Sequence, residues 1–130
     1  MHPRWRLRFE QLLQEVLADL PPLVHELLER VPLHVEDYPS RLVMREMGVR
    51  RRDELCGLYT GVPLTERSRT QPEMLPDIVT IYREGILAAA ADRGRISPRS
   101  LKAEIRKTVL HELAHHHGLD EDELSDLGYQ

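Results

Sequence analysis

The segment His111-Glu112-Leu113-Ala114-His115 carries the residues best suited to chemistry. It has the form H-E-x-x-H. On a helix, positions i and i+4 lie on one face, so both imidazoles can reach one metal ion. Glu112 lies about 100° round the helix from His111. There it can contact a metal-bound water without binding the metal. Catalytic zinc sites take three protein ligands and keep one position open for water. Zinc lowers the pKa of that water toward about 7, and the glutamate takes its proton as the water attacks a carbonyl. The cofactor that this pattern calls for is Zn2+.

A third ligand is expected beyond the helix. Gly118 suits the left-handed turn that takes the chain off a helix end. The pattern His111-x-x-x-His115-x-x-Gly118-x-x-Glu121 sets a carboxylate just past that turn. Asp120 and Asp122 flank it, so three carboxylates compete for the role. His116 projects toward the apolar side of the helix, one turn after Glu112. It reads as a packed residue supporting the site rather than a ligand. His117 reads as a surface or cap residue.

The elements that must position these groups follow from periodicity and punctuation. Ser97-Pro98 is a serine N-cap with proline in the first helical position, opening a helix of about 20 residues, or roughly 30 Å. Leu101, Ile105 and Val109 form its buried stripe. Glu112 projects into the same stripe, and His111 and His115 flank its edge. A buried carboxylate is costly unless something compensates it, which a metal site or a strong hydrogen-bond network would do. Upstream, Trp5 to Asp19 reads as an amphipathic helix ended by Pro21-Pro22. Leu23 to Arg30 reads as a second, short helix. Strands are expected at Leu33–Tyr38, Leu55–Tyr59 and Asp77–Tyr82, the last dense in β-branched residues. Pro39 to Glu54, with Arg41, Arg45, Arg50, Arg51 and Arg52, reads as a solvated loop with a short helix. Val62 to Pro76 reads as a loop, Gly85 to Asp92 as a helix, and Asp120 to Leu127 as an acidic last turn or short helix. Helices bracket strands without βαβ alternation, so the fold class is α+β.

The chain has 130 residues and 15.1 kDa, which fits a single domain over residues 1–130. Its net charge of -4 argues against a nucleic-acid binder working through bulk positive charge. The single cysteine, Cys56, excludes an internal disulfide framework and a cysteine-rich zinc site. A Cys-His hydrolase built on Cys56 is the weaker idea, because the residue sits in an apolar strand and reads as core. No apolar run is long enough to span a bilayer and no secretory signal opens the chain, so a cytoplasmic location is expected.

Taken together, these segments resemble the small bacterial zincin-like metallopeptidases, the mini-zincins related to the Asp-zincins. The resemblance is carried by Leu20-Pro21-Pro22, Val35-Glu36-Asp37, Leu58 to Arg67, Leu75 to Arg83, Thr108 to Leu119, and Leu127-Gly128-Tyr129, in that order. It implies a minimal zincin-like domain, a small mixed sheet packed against the helix that carries the motif. It implies that His111 and His115 are metal ligands and Glu112 the general base. It implies that the strand near Ile78 to Tyr82 borders the cleft, where an edge strand can pair with an extended peptide. It also implies that Tyr129 supports the site, in place of the methionine turn of larger zincins. The chain departs from the family in two places. Glu121 stands where the family's third ligand is typically aspartate, and Pro39 to Glu54 is longer and more basic.

The leading expectation is therefore a zinc metallopeptidase that hydrolyses peptide bonds, its partner being a peptide or protein substrate. The alternative is a catalytically silent zincin-like module that binds a protein or peptide. Neither expectation involves nucleic acid or membrane. The oligomeric state is left open, with a homodimer as one option.

Overall fold

The structure, a computed structural model, describes residues 2–61 and 77–117, with backbone alone for His116 and His117. Helix α1 runs Pro3–Asp19. The His2 ring accepts the Arg4 N–H at 3.0 Å to cap it, and Pro3 begins it without wasting a donor. Phe9, Leu12, Leu13 and Val16, at helical spacing, are its buried face. Pro21 cannot continue the helix, and Pro22 starts α2 (Pro22–Arg30), which buries Val24 and Leu27.

Strand β1 (Leu33–Glu36) alternates half-buried Leu33 and Val35 with exposed His34 and Glu36. Strands β2 (Gly57–Thr60) and β3 (Ile78–Tyr82) complete a mixed sheet in the order β1-β3-β2. β1 runs parallel to β3, with Leu33 opposite Val79 and Val35 opposite Ile81. β2 runs antiparallel, with Gly57 opposite Ile81 and Tyr59 opposite Val79. The strand near Ile78 to Tyr82 is therefore not an edge. Among the described residues it is the central strand, hydrogen-bonded on both sides, as its largely buried β-branched sequence suits. Among the described residues, the edge next to the motif helix is β2.

Helix α4 (Arg83–Ala90) follows β3 directly, and α5 (Pro98–His117) is the long helix expected from Ser97-Pro98. Ser97 Oγ accepts the Ser100 N–H at 3.0 Å, and Ser100 Oγ accepts the Ser97 N–H at 3.2 Å, a reciprocal cap. Leu101, Ile105 and Val109 are fully buried, as their spacing required. They join Phe9, Val16, Val79, Ile81 and Ile86 in one core, in which α5 packs on α1, α4, β2 and β3. The fold is α+β.

The arginine-rich segment holds α3 (Arg41–Met47). Ser40 Oγ caps its start by accepting the Val43 N–H at 3.2 Å. Gly48 ends it at φ 70°, a left-handed conformation that costs glycine nothing. No α3 residue is buried. Arg51 pairs with Asp53 at 2.8 Å. Arg52 pairs with Glu84 at 3.0 Å and lies 4.1 Å over the Tyr38 ring. Part of the basic run is thus fastened to the fold.

A second set of charges ties α1 to the β3–α4 junction. Arg83 donates to Asp37 at 2.9 Å and to Glu10, and Arg6 also pairs with Asp37. The Arg83 guanidinium lies 5.7 Å from the Phe9 ring centre.

Candidate metal centre

Helix α5 presents His111 and His115 to solvent and turns Glu112 inward, to 7% exposure. The two imidazoles lie edge to face, with centroids 4.6 Å apart. Nδ1 of His115 is 3.3 Å from Oε1 of Glu112. One ligand atom from each of His111, Glu112 and His115 lies within 4.8 Å of the others. The three residues that spacing placed on neighbouring positions of one helix are thus brought to one spot.

The sheet supplies what the helix lacks. The backbone N–H of Tyr59, on β2, donates to the Glu112 carboxylate. Burial nevertheless pushes the Glu112 pKa above its ordinary 4.5; His111 and the Tyr59 hydrogen bond pull the other way without cancelling it.

Gly57 makes this contact sterically available. A Cβ there would fall 2.9 Å from Thr108 Cγ2, 3.0 Å from Glu112 Cγ and 3.2 Å from the Thr80 carbonyl oxygen. Glycine lets α5 approach β2 closely enough for the Tyr59 amide to meet Glu112. Neither residue was among the candidates from sequence. Glycine within an apolar strand pattern was the available signal, since it marks close approach of another element.

A hollow of about 410 Å³ opens beside the motif. It is lined by Glu104, Lys107, Thr108, His111 and Glu112 of α5, together with Cys56 and Ala89. Cys56 precedes β2 rather than lying within it. It is half-buried, packs against the core, and its carbonyl accepts the Tyr82 N–H at 2.8 Å. Burial, followed by the Glu104 charge, pushes its thiol pKa up from 9.0, the reverse of what a nucleophile needs.

Of the remaining candidates, Asp120, Glu121, Asp122 and Tyr129 lie outside the described residues, as do residues 62–76. His116 lies in the last turn of α5, and its side chain is likewise outside them. The donor set that is described fits a zinc ion: two exposed imidazoles at i and i+4, with a carboxylate held beside them by a peptide N–H.

A family model described as zincin-like metallopeptidase matches residues 28–129. The chain belongs to the zincin-like metallopeptidase family. Comparison with curated proteins gave no match. The matched span takes in the whole sheet, Gly57, the H-E-x-x-H helix and the acidic run around Glu121. Helix α1 lies outside it, yet Phe9, Leu12 and Val16 share the core on which the zincin-like α5 rests. No helix of the described residues is long and apolar enough to cross a membrane.

Proposed function

We propose that the protein is a zinc-dependent metallopeptidase, folded as one domain over residues 1–130 and working in the cytoplasm on a peptide or protein substrate. The observation that carries this reading is the Glu112 carboxylate: buried, raised in proton affinity, held by the Tyr59 N–H, and within 4.8 Å of both motif imidazoles.

In this reading His111 and His115 hold the zinc, and Glu121 completes the ligand set, by the family's spacing after Gly118. The His115 ring would hold the metal with Glu112 Oε1 3.3 Å from its Nδ1. Zinc, when bound, supplies Lewis acidity toward a water and the scissile carbonyl. Glu112 accepts the proton of the attacking water at its carboxylate and passes it to the departing amine. A carboxylate whose burial raises its pKa is the better base for that task near neutral pH. The Tyr59 N–H fixes the direction in which that carboxylate points. Among the described residues β2, Gly57–Thr60, is an edge strand beside the motif, and an extended substrate can lie along it. His116 and Tyr129 support the site, by resemblance to the family.

The test is a pair of substitutions on zinc-reconstituted protein. His111→Ala should lose the single bound equivalent. Glu112→Gln should keep the zinc and lose roughly 100-fold or more of the cleavage of a peptide library. Glu121→Gln should lose much of the zinc affinity, and Asp122→Asn little. Wild type and Glu112→Gln cleaving alike would refute the mechanism. Zinc binding without any cleavage by wild type would favour a silent peptide-binding module.

A further inference from the structure

The hollow beside the motif has a wall that the hydrolytic chemistry leaves unused. Glu104, Thr108 and His111 follow one another at spacings of four and three, which is one helix face. Glu104 therefore stands about 10 Å along the axis from His111, a span that an extended lysine or arginine with its hydrogen bond covers. Cys56, Ala89 and Thr108 also line the hollow. Glu104 is half-buried, and it makes no hydrogen bond or ion pair with any described residue. Lys107 shares the wall but is exposed and does not pair with it. A carboxylate beside a hollow and without a cation partner is a ready acceptor for a bound cation.

We propose that this hollow receives a basic side chain of the bound peptide, its aliphatic stem over Cys56, Ala89 and Thr108 and its cation at Glu104. The stem of lysine or arginine covers apolar surface while the head seeks charge, which matches an apolar lining beside a carboxylate. The Cys56 thiol reports the same field: Glu104 acts on it more strongly than Lys107 does. The inference deepens the peptidase reading, since it takes the occupant to be a peptide. It is nevertheless measurable without metal or turnover.

Cys56 is the chain's single cysteine and lines the hollow, so its alkylation by an uncharged thiol reagent reports occupancy. The full-length protein is labelled at mildly alkaline pH with either of two capped peptides, identical except for lysine or norleucine at one position. The lysine peptide should slow labelling roughly two- to fivefold more than the norleucine peptide, the range of a partly exposed ion pair. Glu104→Gln should erase that difference. The comparison between peptides cancels any direct effect of Glu104 on the thiol. Equal protection by both peptides, protection by neither, or a lysine advantage that survives Glu104→Gln each overturns the proposal. Lysine-selective protection in a protein that cleaves no peptide supports the pocket while refuting the peptidase reading. Cleavage without preference for a basic residue does the reverse.

Discussion

Arg83 and Glu112 are both withdrawn from water, with side chains 15% and 10% exposed, and the fold treats them oppositely. Arg83 meets two carboxylates, Asp37 and Glu10, and a second arginine helps to hold Asp37. Glu112 meets one peptide N–H and the imidazoles of His111 and His115, and its proton affinity stays raised. The charge that is answered on several sides joins α1 to the β3–α4 junction. The charge left under-compensated lies among the motif histidines. Incomplete compensation inside a fold marks a group kept for chemistry rather than for cohesion.

The strongest challenge to that contrast is Arg83→Met. It keeps an apolar stem but removes the guanidinium, leaving Glu10 without its partner and Asp37 with Arg6 alone among the described residues. The expected loss is about 2–3 kcal/mol in urea unfolding, below the value for a fully buried pair because the carboxylates are partly exposed. Zinc bound per folded molecule should not change. A loss under about 0.5 kcal/mol, within the range of an ordinary surface substitution, would show that the network contributes little to cohesion.

Gly57→Ala probes how Glu112 is held. The added methyl has no room against Thr108, Glu112 and the Thr80 carbonyl, so α5 must move off β2. Overpacking of this kind costs about 1–3 kcal/mol. The movement should also pull Glu112 from the Tyr59 amide, so cleavage should fall further than the stability loss explains. Full activity in a folded Gly57→Ala protein would mean that the Tyr59 contact is dispensable.

Most of the scaffold could be read from the residues. Ser97-Pro98, the Leu101–Ile105–Val109 stripe and the Pro21-Pro22 break each act within one or two helical turns, so local sequence contains their cause. Glu112 was correctly placed inward for the same reason. The sheet order was not readable in this way, because pairing joins Leu33 to Val79 and Gly57 to Ile81 across long stretches of chain. The central position of β3, and with it the place of β2 at the edge among the described residues, therefore emerged only from the fold. The Tyr59 amide is a backbone group, which no residue type announces. The short helix α3 was read only as an unplaced helix within a basic loop; its Ser40 cap and Gly48 end became evident in the structure.

Glu112→Gln sharpens the contrast from the other side. In metal-free protein at neutral pH it should stabilise, by about 1 kcal/mol, the usual gain when a functional position is relieved. The amide oxygen can still accept the Tyr59 N–H, while the buried charge is gone. The sign follows from linkage. A carboxyl whose folded pKa is raised makes the native state hold a proton that the unfolded chain has released, so wild-type stability falls as pH rises above 4.5 through the raised value. The gain from Glu112→Gln should then be present near neutrality and fade as pH is lowered toward 4.5. Thermal melts across that window, with chelator present, measure it. A destabilised Glu112→Gln at neutral pH would place Glu112 with Arg83 as a cohesive group.

Arg52 supplies the intermediate case and the smallest expected effect. It pairs with Glu84 at 3.0 Å and lies over Tyr38, but its side chain is 52% exposed. Solvent screens such a pair, and the cation–ring contact is equally open, so Arg52→Ala should cost about 0.5–1 kcal/mol. That cost should shrink with added salt, because screening acts on exposed charges. Arg45, on the exposed face of α3 and in no ion pair with any described residue, should cost nothing measurable on the same substitution. The order Arg83, then Arg52, then Arg45 would tie the worth of each arginine to how far water is excluded from its partners. If Arg52→Ala matched Arg83→Met, exposure would not be what separates cohesive charges from idle ones, and the contrast with Glu112 would lose its physical basis.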